Sequence, residues 1–272
     1  MKVIGLIIVI LLIFLIIYII LGGFESDPEC NINLKGDLSP IKSPKSSFKL
    51  IYSYGLFSSD PMPDHMIKTI EHNRQITNMD HLVIGTDEVK LDLIEMEKLV
   101  PGVTYAYENV TRGVAKSDIA RMVSLYLRGG HYADLDVEFY KVPPMSSNAV
   151  IIYTETFSIK DKHFTRIANY ALSSPPKHPF IKAVISEITK RVTNKLNTST
   201  KTSSFVENKW TDNDVLNLTG PDVITSVYFD NRQKWANNAK NDYSRVIKIG
   251  WLKSRQILSH KCAGSWRESK DV

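Results

Sequence analysis

Cysteine is nearly missing from this 272-residue chain: only Cys30 and Cys262 are present. Two thiols exclude a disulfide framework. One bridge remains open, which an oxidising lumen would allow, and two unpaired thiols remain equally open. Blocks of like charge are also missing. The 34 basic and 29 acidic residues are mixed along the chain. A basic arm for nucleic acid is therefore excluded, and the net +5 speaks only to solubility. No internal repeat occurs. No Ala-x-Ala cleavage signal follows the N-terminal apolar run, where the sequence reads "GGFESDPEC".

That run, Val3 to Leu21, carries no charge and is interrupted only mildly by Gly5 and Tyr18. As a helix rising about 1.5 Å per residue it crosses a hydrocarbon core of roughly 30 Å. It is longer than the apolar region of a signal peptide, so residues 1–24 are expected to form a transmembrane anchor. Lys2 precedes the span, and Glu25, Asp27 and Glu29 follow it. This asymmetry favours a cytoplasmic N-terminus and a body outside or in a lumen, a single-pass type II arrangement facing the Golgi or endoplasmic reticulum. Three glycosylation triplets fit a lumenal body: Asn109-Val110-Thr111, Asn197-Thr198-Ser199 and Asn217-Leu218-Thr219. Residues 25–47 contain the Pro-, Ser- and Lys-rich "KGDLSPIKSPKSS" and read as a flexible stem.

Residues 48–272 carry the folded pattern. "FKLIYSYG" and "HLVIG" read as strands, "DHMIKTIEHNRQI" and "DEVKLDLIEMEKLV" as helices. "KSDIARMVSLYLRGG" reads as a helix capped by Ser117 and ended by Gly129-Gly130. "AVIIYTE" reads as a strand, "HPFIKAVISEITKRV" as a long helix, and "TNKLNTSTKTSSFVENKWTDND" as a polar surface loop. Strands alternating with helices predict an α/β domain with a mostly parallel central sheet, whose ligands sit beyond the carboxyl ends of the strands.

The stretch "HYADLDVEF", residues 131–139, is the chemically loaded one. Read as one strand, it puts Tyr132, Asp134, Asp136 and Glu138 on one face and Ala133, Leu135, Val137 and Phe139 on the other. Carboxylates aimed the same way repel. Solvent on an edge strand screens that repulsion, or a cation cancels it, and the stretch alone leaves both open. On the preceding helix Asp118 and Arg121 are three apart and share a face, opposite an apolar stripe of Ile119, Met122, Val123 and Tyr126.

"SDIARMVSLYLRGGHYADLDVEF" resembles the sugar-binding Asp-x-Asp region of the GT32 glycosyltransferases and, more distantly, that of the large clostridial glucosylating toxins. Three further stretches follow the family pattern in order: "RIANYALSSPPKHPFI", "LNLTGPDVIT" and "HKCAGSW". The resemblance runs over roughly residues 48–266. It implies a GT-A-like single domain and a hexosyl transfer from a GDP- or UDP-sugar to a glycan or glycolipid, with retention of configuration and no agreed nucleophile.

The resemblance also implies roles. Asp136 would ligate Mn²⁺ (or Mg²⁺) directly, and Asp134 would serve the ribose and the metal through water. Asp118 would bond the donor sugar's hydroxyls. Arg121 would reach the same sugar or the phosphates, where its planar fork suits bidentate contact. Asn169 would line the sugar, His260 and Ser265 would complete the metal and diphosphate shell, and Trp266 would cover the diphosphate. Glu138 reads as a strand or hydrogen-bonding residue and Gly220-Pro221 as a structural turn. The alternative reading is a non-catalytic module that keeps the sugar- or partner-binding surface without turnover.

Overall fold

The structure, a computed structural model, describes residues 49–56, 59–159, 162–201, 210–231, 234–235 and 245–261. The apolar run, the stem, Cys30, Cys262, Ser265 and Trp266 lie outside these residues. Among the described residues no helix is long and apolar enough to cross a membrane.

The first half alternates strand and helix: β1 (Lys49–Ser53), α1 (Asp64–Thr77), β2 (Asp80–Ile84), α2 (Thr86–Glu97), α3 (Val103–Asn109), α4 (Gly113–Arg128) and β3 (Gly130–Ala133). β1 lies between β2 and β3 and is parallel to both, with Leu50 opposite His81 on one side and His131 on the other. Its Leu50, Ile51 and Tyr52 are all fully buried. That accounts for a continuous apolar run where a half-buried strand would alternate.

After the short β4 (Val137–Phe139) come β5 (Ala149–Ile159) and β6 (Lys162–Ser174), then α5 (Pro179–Lys201), α6 (Asp212–Leu218) and α7 (Pro221–Asp230). β7 (Arg245–Ile249), α8 (Trp251–Ser254) and β8 (Leu258–His260) complete the described chain. The main sheet has the order β2-β1-β3-β6-β5-β7. β6 runs antiparallel to β3 and β5, while β7 is parallel to β5, so only β6 opposes the other five strands. The expected mostly parallel sheet is present. Two apolar layers cover it. One holds Ile51, Ile119, Val123 and Phe180 beneath α4, α5 and α7. The other holds Leu50, Tyr52, Val137 and Phe139.

Three local expectations need correction, and one pair is placed more deeply than its helix face alone shows. α4 starts at Gly113 with Arg112 at its cap, so Ser117 lies inside the helix, its hydroxyl 3.3 Å from that of Ser53. The supposed loop from Thr193 is helical as far as Lys201, because the exposed Asn194, Asn197 and Thr198 sit on the solvent side of α5's last turns and mask its period. Asp118 and Arg121, which share a face of α4, are both buried, as is the apolar stripe behind them. Finally, residues 131–139 are not one strand. β3 stops at Ala133, and the Val137 amide donates to the Asp134 carbonyl at 3.0 Å, closing a tight turn before β4.

The Gly129-Gly130 ending is forced. Gly129 has φ 65° and Gly130 φ 120°, the half of backbone space that glycine tolerates. A Cβ on Gly129 would lie 2.6 Å from Pro176, and one on Gly130 2.6 Å from the Lys49 carbonyl. The turn thus drops α4 directly into β3 beside β1.

His131, on β3, is fully buried against Phe139 and Tyr153, and neither ring nitrogen has a hydrogen-bond partner among the described residues. Burial pushes its pKa down to about 3. In the unfolded chain the ring protonates near 6.5, so the folded state is the poorer proton binder in between. Stability contributed by neutral His131 is present above pH 6.5 and falls by up to about 1.4 kcal/mol per pH unit as acid is added. His131→Leu is expected to flatten the stability-versus-pH curve between pH 6.5 and 4 in urea melts. A slope equal to wild type would contradict it.

Candidate metal centre

The site forms where β3 ends. The Asp134 amide donates to the Tyr170 carbonyl at 2.8 Å, the last bond between this segment and β6. The turn then sends Asp134 and Asp136 in different directions. Asp134 faces Arg121 on α4, with Arg121 Nη2 3.1 Å from its Oδ1. Asp136 faces the far end of the chain. There β8 pairs antiparallel with β4, setting His260 opposite Val137, and the Lys261 amide donates to the Asp136 carbonyl at 3.0 Å. His260 Nε2 thereby comes within 3.3 Å of Asp136 Oδ2. One ligand atom from each of Asp134, Asp136 and His260 lies within 4.8 Å of the others. Their side chains keep 29, 21 and 22% of their surface exposed, so the group opens to solvent. Tyr170 stacks on the His260 ring, centroids 4.1 Å apart, and fixes its plane. Glu138 pairs with Lys261 and ties β4 to the end of β8.

Below this group lies a buried ion network. Arg121 Nη2 bridges Asp118 Oδ1 and Asp134 Oδ1, each at 3.1 Å. Its Nη1 donates to the Asn169 carbonyl at 2.5 Å and its Nε to the Ser117 carbonyl at 3.4 Å. The guanidinium lies over the Tyr132 ring, 4.7 Å from the centroid. Tyr132 gives its phenol proton to Asp134 Oδ1 at 2.8 Å, so at 2.9 Å Ser53 is the donor to the Tyr132 oxygen. Asp118 accepts from Asn169 Nδ2 at 2.9 Å and from Thr219 Oγ1 at 2.8 Å.

Burial drives Asp118's pKa up to about 6, against the pull of Arg121, Thr219 and Asn169. Burial likewise raises Asp134, reinforced by the charge of Asp136 and opposed by Arg121. For Arg121 burial opposes the charge, but Asp134, Tyr132, Asp118 and Asp136 outweigh it and hold the guanidinium more firmly protonated than usual. His260 also titrates higher than usual: burial would lower it, and the hydrogen bond and charge of Asp136 win. The two carboxylates therefore attract positive charge to the ring. A divalent cation supplies that charge with more force and competes with the proton for the same atoms. Two carboxylates and an imidazole, close together and open to solvent, are a donor set that suits Mn²⁺ or Mg²⁺.

Of the residues singled out in the sequence, the fold brings together Asp118, Arg121, Asp134, Asp136, Asn169 and His260. Ser265 and Trp266 lie outside the described residues. Asp118 and Asn169 bond each other, and Asp118 is 1% exposed. Arg121 likewise spends its fork on Asp118, Asp134 and Asn169. Sequence reasoning missed Thr219, Tyr170 and the Ser53–Tyr132 relay. The Thr-Gly-Pro turn was the signal for Thr219. β6 itself had no clear pattern, because Arg166 and Asn169 interrupt its apolar residues and its register with β5 shifts between Ile152 and Thr154.

Residues 63–158, which contain Asp134 and Asp136, match the glycosyltransferase sugar-binding region containing a DXD motif. An initiation-specific alpha-1,6-mannosyltransferase from Candida albicans is 24% identical over 187 residues, covering 57% of this chain and 48% of that protein. The chain thus spans about half the length of that relative. The ligand-free glycosyltransferase domain of the YGT toxin shares the fold, with a TM-score of 0.51 at 10% identity over 74% of this chain and 79% of that one. The Asp-x-Asp turn thus lies within the part of the chain that matches the DXD-containing sugar-binding region of glycosyltransferases.

Proposed function

We propose that the chain is a membrane-anchored, metal-dependent glycosyltransferase that moves a hexose from a GDP- or UDP-sugar to a hydroxyl of a glycan or glycolipid, with retention. The observation that carries this reading is the meeting of Asp134, Asp136 and His260 at the end of β3, within a chain whose matched region is a sugar-binding one. Asp136, Asp134 and His260 would hold Mn²⁺ or Mg²⁺, with Ser265 completing the shell. An ion held there would supply Lewis-acid stabilisation of the departing diphosphate. The chain's own part is preorganisation. Arg121 and Tyr132 both fix Asp134 Oδ1, leaving its other oxygen for a ligand. Tyr170 and Asp136 orient the imidazole. Trp266 would shield the diphosphate from water, and retention would follow from attack on the same face of the sugar; no base is assigned.

The test is a panel of GDP- and UDP-sugars incubated with the full-length chain in Mn²⁺ without acceptor. Slow hydrolysis of one donor is expected, abolished by EDTA and restored by Mn²⁺. Tight donor binding with no turnover on any sugar would favour the non-catalytic module. The anchor (1–24), stem (25–47) and lumenal body (48–272) belong to the same proposal. Asn109 closes α3 at an exposed position, so glycosylation there in a eukaryotic host is expected. A body digested by protease outside sealed microsomes would exclude the lumenal topology.

A further inference from the structure

Thr219 is fully buried between α6 and α7, and its hydroxyl has two acceptors in range: Asp118 Oδ2 at 2.8 Å and the Val215 carbonyl at 3.2 Å. A hydroxyl has one proton to give. The Val215 carbonyl does not need it, because the backbone amides of Thr219 and Gly220 already donate there at 3.2 and 2.8 Å. The nearer, charged acceptor takes the proton. The turn is built around this delivery. Pro221 starts α7 at a position where its missing amide is harmless. A Cβ on Gly220 would lie 2.9 Å from the Val215 carbonyl oxygen.

The two oxygens of Asp118 are served differently. Oδ1 receives Asn169 and Arg121, while among the described residues Thr219 is the hydrogen-bond donor to Oδ2. Thr219 therefore fixes the rotation of the carboxylate about its Cβ–Cγ bond. That rotation decides where Oδ1 meets Arg121 Nη2, the same nitrogen that holds Asp134. We infer that Thr219 is a positioning residue for the metal-binding carboxylates: its hydroxyl orients Asp118, Asp118 orients Arg121, and Arg121 sets Asp134. The inference rests on the metal reading above but assigns a residue outside the Asp-x-Asp region, on the turn between α6 and α7.

The test is Mn²⁺ binding to the full-length chain, followed by electron paramagnetic resonance without donor, in wild type, T219V and T219S. T219V is expected to weaken Mn²⁺ roughly tenfold, the lower end of what outer-shell partners contribute, and T219S to bind as wild type. The loss should deepen between pH 7 and 6. The lost hydrogen bond stabilised ionised Asp118, so its removal moves that carboxyl further above about 6, and the neutral acid holds Arg121 less firmly. The charged groups facing Asp118 are Arg121 on its own helix and Asp134 beyond β3; Thr219 and Asn169 are neutral. Wild type that takes up no Mn²⁺ overturns the metal reading itself. Wild type that binds, with T219V equal to it across this range, overturns the Thr219 assignment alone. If T219V fails to give a cooperative melt, T219S decides: a folded T219S with weakened Mn²⁺ would assign the effect to the threonine methyl and overturn the hydroxyl's role.

Discussion

Asp136→Ala should reduce sugar transfer by about three orders of magnitude and leave the protein folded. Lewis-acid stabilisation of a leaving diphosphate is worth several kcal/mol, and each roughly 1.4 kcal/mol is tenfold in rate. Losing one of three ligand atoms that lie within 4.8 Å of one another removes most of that effect. The fold has little to lose. Asp136 keeps 21% of its side-chain surface exposed, and its carboxylate raises the pKa of its neighbour Asp134 by repulsion. The backbone bond from Lys261 to the Asp136 carbonyl survives the substitution. His260, which Asp136 holds above its usual pKa, should titrate lower in the variant. Initial rates with Mn²⁺ and the accepted donor, beside a circular-dichroism melt, measure both parts. Wild-type turnover in the variant would remove Asp136 from the metal shell.

The sequence carried the alternation of strands and helices because most of these strands are buried on both faces and the helices are amphipathic. It did not carry the break in the acidic stretch. Ala133, Leu135, Val137 and Phe139 are all buried, as the alternating pattern demands. Alternation is blind to a turn that preserves the inside-outside order, and here the turn keeps Leu135 inside while swinging Asp134 towards α4 and Asp136 towards β8. His260 was found through a motif and not through any local pattern; its place depends on β8 pairing with β4, a contact between distant parts of the chain. The environment of Asp118 was likewise invisible. Nothing in a helical period distinguishes a carboxylate aimed at a sugar from one enclosed by Arg121, Asn169 and Thr219, since that depends on β6 and the α6–α7 turn closing over it.

This enclosure makes Arg121→Met the substitution with the largest expected cost in stability, roughly 3–5 kcal/mol, the range for removing one partner of a buried ion pair. Arg121 and Asp118 keep only 3 and 2% of their side-chain surface exposed. Methionine fills most of the space but leaves Asp118 without its cation and Asp134 without an anchor. The pH dependence identifies the cause. Burial already holds Asp118 near 6, above its unfolded value of 3.8, while Arg121 pulls it down. Without Arg121 the folded pKa rises further. A carboxyl raised in this way adds stability below its unfolded pKa and loses it as pH climbs through the folded one. The deficit of the variant should therefore be largest near pH 8 and shrink on acidification through pH 6. Adding Asp118→Asn to Arg121→Met should recover much of the stability at pH 8, because the stranded charge is gone, yet restore no transfer, because Asp134 remains unanchored. Urea denaturation of wild type and both variants at pH 8 and pH 6 measures this. A deficit that is the same at the two pH values, or that the second substitution does not relieve, would mean that Arg121 stabilises the fold by packing and not by holding the two carboxylates.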